Sequence, residues 1–127
     1  MELISVVVAG VVAWMFGAVW YMTLGQRWMD AAQLTEEDTK ATGPLPYIVS
    51  LITAILVAGM TRHIFASSGV DSLISGAVTG FGLGAFIAAP WIVNNILFSI
   101  RDKSLIWMDC GYPIGAMTLM GIVLSLL

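Results

Sequence analysis

Between Ser72 and Ala88 every fourth residue is small: Ser72, Gly76, Gly80, Gly84 and Ala88, set in an otherwise apolar run. In water this would be a weak helix, because each interior glycine costs about 1 kcal/mol relative to alanine. In a bilayer, lipid gives helices no hydrophobic reason to associate. Small residues at i, i+4 then let two backbones approach and gain dispersion contacts and weak hydrogen bonds. The ladder therefore predicts a membrane-crossing helix packed closely on another. A second stripe at helical spacing, Gly10, Ala13 and Gly17 followed by Trp20 and Tyr21, lies in the first apolar run. Its expected role is packing with an aromatic plug, against the glycine ladder.

The rest of the chain agrees with a membrane protein. Hydrophobic residues make up 59% and charged residues 10%, where soluble domains carry about 25% charged. A crossing helix needs about 20 mostly apolar residues, and four stretches qualify, at 3–24, 46–65, 72–98 and 104–127. The expected fold is all-α, a single domain forming an integral membrane four-helix bundle. The start has neither the basic region nor the cleavage site of a signal peptide, so its apolar run reads as a retained span. The net charge of −3 is small and concentrated in one connection, which argues against a nucleic-acid partner. Cys110 is the only cysteine, leaving no intramolecular disulfide and no thiolate metal site. No metal or cofactor is expected.

The connection at 25–45 has structure of its own. Residues 26–33 place Trp28, Met29 and Ala32 on one face, as in a short amphipathic helix lying at the headgroups. Thr35 with Asp38 matches a capping box, and Glu36 and Glu37 suit a first helical turn; a solvated acidic loop is the alternative. Arg27, Lys40, Arg101 and Lys103 fall in the first and third connections, against Arg62 on the other side. The basic bias makes those connections cytoplasmic and puts both termini outside.

Folding the last two spans about residues 101–103 sets Asn95 opposite Asp109, Asn94 opposite Cys110 and Trp91 opposite Pro113. Asp109 then lies about 9 Å beyond Lys103 at the helical rise. Tyr112 shares its face, and Trp20, Tyr21 and Tyr47 come from helix ends on the same side. Arg101 can snorkel toward this cluster. Ionisable groups at depth raise a functional hypothesis by default. The plainer alternative is an interhelical hydrogen bond, an aromatic belt and an interfacial cap. Pro90 clashes with the carbonyl of Phe86, so a kink is expected there. His63 is the lone histidine and lacks metal-binding partners in sequence. No catalytic fingerprint appears, so no enzyme is expected.

Gly17-Ala18-Val19-Trp20-Tyr21, Trp28-Met29 and Leu34-Thr35-Glu36-Glu37-Asp38 resemble the start of the small four-span bacterial proteins grouped as DUF1761. Asn95-Ile96-Leu97-Phe98 before a charged turn, and Asp109-Cys110-Gly111-Tyr112, extend the resemblance over nearly the whole chain. Pro113 departs from it, standing where a larger or polar residue is expected. The resemblance implies the architecture and carries no established activity. The expected role is non-enzymatic helix packing, as an accessory subunit of a larger membrane complex or a homo-oligomer. Its partners would be the lipid bilayer and other transmembrane helices. One alternative is a small dimeric transporter or channel using Asp109 with Asn94 and Asn95. Another is a lipid, quinone or pigment site lined by Trp20, Tyr21, Trp91 and Tyr112.

Overall fold

The computed structural model describes residues 2–127. Its helices are α1 (Glu2–Ala32), α2 (Glu36–Ala41), α3 (Leu45–Ser68), α4 (Leu73–Leu83), a π turn (Gly84–Ala88), α5 (Ala89–Phe98) and α6 (Ser104–Leu126). Four helical stretches are long and apolar enough to cross a membrane: α1, α3, the continuous Leu73–Phe98, and α6. The protein is an all-helical membrane bundle with a short helix between its first two spans.

Local chemistry sets the breaks. At Gly25 the backbone takes φ 33°, ψ −103°, so α1 runs regularly to Leu24 and then turns. Such a conformation suits a residue without Cβ. The segment beyond it ends at Gln33, whose φ is 58°. There the Leu34 N–H returns to the Met29 carbonyl (2.9 Å) and the Gln33 N–H to that of Asp30 (3.2 Å), a Schellman turn. The capping box of α2 forms as expected, Asp38 N–H donating to Thr35 Oγ1 (3.1 Å) and Thr35 N–H to Asp38 Oδ2 (2.9 Å). The Thr35 backbone N–H, and then its hydroxyl, hold the Asp38 carboxyl below its ordinary range. Gly69, at φ 71°, ends α3 in a second Schellman turn.

Ser72 belongs to the cap of α4 and not to a packing seam. Its hydroxyl accepts from the Ser75 N–H and its own N–H donates back to Ser75 Oγ. The seam begins one rung later, and its partner is α6, whereas the sequence suggested the α1 stripe. A Cβ on Gly76 would run into the Gly121 carbonyl and the Ser125 side chain, and one on Gly80 into the Met117 carbonyl. One on Gly84 would meet Pro113 and Ile114, and one on Gly121 the backbone of Gly76.

The kink expected from Pro90 takes the form of the π turn just before it. The Ala89 N–H donates to the Gly84 carbonyl, five residues back. The extra residue relieves the proline and rotates everything that follows by about 100°. The ladder consequently passes from Gly84 to Ala89, which is buried, and Ala88 steps partly out of the seam.

Helix α6 is central, with α4, the π turn and α5 on one flank and α1 on the other, while α3 rests mainly on α1. The α1 stripe is divided between neighbours: Gly10 admits Ile55 of α3, and Gly17 admits the Tyr112 ring of α6. One apolar core joins Ala9 and Ala13 to Ala54, Ala58, Ala116 and Met120. A second packs Ala31, Ile96, Leu105 and Met108 at the end holding the Gly25 break. Between these two cores lies the polar layer.

Candidate functional site

Facing glycines let aromatic rings into the α1/α6 interface. Trp20 covers Gly111, Phe16 covers Gly115 and Tyr112 covers Gly17. Phe16 stacks on Tyr112 with centroids 6.2 Å apart, and Tyr21 meets Tyr112 edge-on at 5.7 Å. Trp20 Nε1 donates to the Met108 carbonyl at 2.8 Å, tying α1 to the residue before Asp109. Pro113 has no N–H with which to continue the helical ladder to the Asp109 carbonyl.

Asp109 itself is half-buried and held by two donors. The Tyr21 hydroxyl and Trp28 Nε1 each reach Oδ1 at 2.9 Å. The two rings meet edge-to-face, 5.8 Å between centroids. Oδ2 has no hydrogen-bond partner in the described chain, and it is not sealed from the surroundings. Asp109 lines a shallow open cleft of about 360 Å³ whose polar wall also holds Tyr21, Asn95, Arg101 and Tyr112. Ile92, Ile96 and Pro113 supply the apolar wall. Arg101 and Asp109 share the cleft without forming an ion pair.

The structure brings together Tyr21, Asn95, Asp109 and Tyr112 from the expected cluster, with Trp20 behind them and Arg101 at the rim. Three members stay outside. Asn94 is exposed beyond the cleft, Trp91 is 72% exposed, and Tyr47 is 65% exposed. The Tyr47 carbonyl serves instead as acceptor for Trp14 Nε1 at 3.1 Å. Trp28 is the site residue that sequence reasoning missed. It shares a face with Ala32 as expected, but the Gly25 turn swings that segment onto α5 and α6, where Ala31 also packs.

The surroundings are tied down independently. Cys110 is buried, with Sγ 3.6 Å from the Ala89 carbonyl. Asp102 stands just before α6, where the Ser104 hydroxyl (2.7 Å) and backbone N–H (2.8 Å) hold its carboxyl below the ordinary range. Among the described residues no three acids, cysteines or histidines are placed to hold a metal ion. The chemistry on offer is therefore recognition by one oriented carboxylate oxygen, an amide and a guanidinium.

A family model described as "Protein of unknown function (DUF1761)" matches residues 4–125. No curated protein and no solved structure matches the chain.

Proposed function

The chain belongs to the DUF1761 family, and we propose that it is a non-enzymatic protein of the bacterial cytoplasmic membrane that binds a small polar ligand in the Asp109 cleft. The observation that carries this reading is the division of labour on one carboxylate. Oδ1 is fixed by Tyr21 and Trp28 while Oδ2, on a residue that lines the cleft, is unpaired and accessible. Oδ2 keeps its acceptor capacity at an accessible position, where a ligand donor can take the place of water. The hydroxyls beside it belong to Tyr21, which is spent on the carboxylate, and to Tyr112. The four basic residues at this end, against Arg62 at the other, support a cytoplasmic opening.

Tryptophan emission tests the reading, because Trp20 and Trp28 both touch the site. Titration of the purified protein with ammonium, phosphate and zwitterionic compounds should shift the emission saturably with at least one class, and Asp109→Asn should weaken the response about tenfold. A wild-type protein silent to every class would sink the idea.

A second reading, as an accessory subunit or homo-oligomer acting through helix packing, is favoured by the outer face of the third span. There Ile74, Val78, Phe81 and Phe86 are exposed, and Gly82 faces open space. The glycine ladder does not support it, being consumed within the chain. Native mass spectrometry of protein extracted from its own membrane separates the two: stoichiometric partners support assembly, and a lone monomer removes it.

A further inference from the structure

Four side chains in the cleft have hydrogen-bonding capacity unspent within the described chain: Asp109 Oδ2, the Tyr112 hydroxyl, the Asn95 amide and the Arg101 guanidinium. Building on the ligand-site reading above, we propose that Asp109, Asn95 and Arg101 recognise a zwitterion in which a primary ammonium lies beside a phosphate, the headgroup chemistry of an ethanolamine phospholipid. The ammonium sits on Asp109 and Asn95, and the phosphate on Arg101.

Charge and donor count select this class. A lone anion would suit Arg101 and be repelled by Asp109, and a lone cation would meet the reverse penalty. A ligand with both charges satisfies each and leaves the site neutral. Arg101 takes the phosphate because its planar fork matches phosphate oxygens. A primary ammonium has three N–H donors for the acceptors at Asp109 and Asn95, and a quaternary ammonium has none. Quaternary groups are recognised instead by open aromatic faces. Here the rings spend theirs on one another, Tyr112 against Phe16 and Tyr21 against Tyr112 and Trp28. The location fits a lipid source. The cleft opens at the end of the bundle bearing Arg27, Lys40 and Lys103, and Leu97 and Phe98, which follow the cleft-lining Ile96 in the chain, are exposed apolar side chains available to acyl chains.

The test is native mass spectrometry of the full-length protein, released from micelles holding equal amounts of phosphatidylethanolamine, phosphatidylcholine and phosphatidylglycerol with matched chains. Phosphatidylethanolamine should be retained about tenfold over the other two. Asp109→Asn, which still offers an oxygen to Tyr21 and Trp28 and so keeps the fold, should bring it down to the phosphatidylcholine level. Arg101→Gln should lower retention of both zwitterionic lipids. Glycerophosphoethanolamine, which has no acyl chains, separates the sources. An Asp109-dependent tryptophan response to it identifies a free zwitterion, and silence with the lipid still retained identifies the phospholipid; both results support the proposal.

Equal retention of the three lipids together with silence toward glycerophosphoethanolamine would overturn it, as would phosphatidylethanolamine binding that ignores Asp109→Asn. Titration with simple primary ammonium and phosphate compounds then shows what else has failed. If either class binds through Asp109, the ligand-site reading stands without the zwitterion, and if neither binds, both fall.

Discussion

From Gly76 to Gly84 the third span lies with its backbone against α6, whereas beyond Ala89 it meets α6 through side chains, with Ala89 and Ile96 buried in the contact and Asn95 on an open polar cleft. The first half is built from glycines whose missing Cβ atoms are the space the partner backbone occupies. Its cohesion is dispersion between closely apposed backbones, the form of packing available where lipid gives no hydrophobic drive. The second half begins at the π turn and Pro90, opposite Pro113, where regular i to i+4 bonding is interrupted on both helices. Closeness requires an unbroken period, and a cleft requires its interruption. The chain has placed one π turn and two prolines at the boundary between a seam that cannot open and a site that stays open.

That contrast predicts unequal responses to substitution. The largest belongs to the seam. Gly80→Val forces a branched side chain into the Met117 carbonyl and should destabilise the protein by about 3 kcal/mol, read by equilibrium unfolding in mixed micelles. A loss under about 1 kcal/mol would mean that the helices can separate and that the seam is not the rigid half.

Next comes the polar layer. Asp109→Leu leaves the Tyr21 hydroxyl and the Trp28 N–H without their acceptor and should cost about 2 kcal/mol. Asp109→Asn should cost about 1 kcal/mol or less, because one oxygen remains. Equal losses for the two would show that the donors are not what Asp109 supplies to the fold.

The turns at the two ends sharpen the comparison further. Both are Schellman turns, with Val70 N–H returning to the Phe65 carbonyl at one and Arg101 N–H to that of Ile96 at the other, each at 3.0 Å. Gly69 takes the left-handed position at the seam end, while Ile100, 92% exposed, takes it at φ 55° beside the cleft. A β-branched residue is strained there. Gly69→Ala should cost about 1 kcal/mol and Ile100→Gly should add about 1 kcal/mol, measured in the same unfolding series. If Ile100→Gly also weakens ligand binding, the strain holds Arg101 in place for the cleft.

The smallest effect concerns pH. The Asp102 carboxyl is held below its ordinary range by Ser104, so its contribution is present above the unfolded value of about 3.9 and is lost as pH falls through the lower folded value. Amide exchange at Ser104, corrected for its intrinsic pH dependence, should rise below about pH 4 in the wild type and be insensitive to pH in Asp102→Ala.

The legible parts of this molecule were those governed by a short stretch of chain. Spans follow from apolar length, and the α2 cap from Thr35 and Asp38 three residues apart. The pairing of Asn95 with Asp109 needed only the turn between α5 and α6. Ser72 was misassigned because its small side chain fits both a packing rung and a cap, and the neighbouring Ser75 decided for the cap. Ala88 was replaced by Ala89 because a π turn changes the phase of a helix without leaving a clear composition mark. Trp28 turned inward because Gly25 redirects the segment carrying it, and the angle of a glycine break is fixed by what the segment packs on. Trp91 and Asn94 share depth with the site but not direction.

The sequence by itself determined that four apolar helices form, which face of the third can approach another backbone, and that Asp109 is the acid left at depth. Tertiary structure alone decided that the glycine face meets α6 and not α1, and that Tyr21 and Trp28 converge on one carboxylate oxygen while the other stays open. The physical reason is that helical period fixes a face within one element but carries no label for its partner. That choice is made by the mutual fit of ring and glycine surfaces across the bundle, which exist only once the helices are side by side.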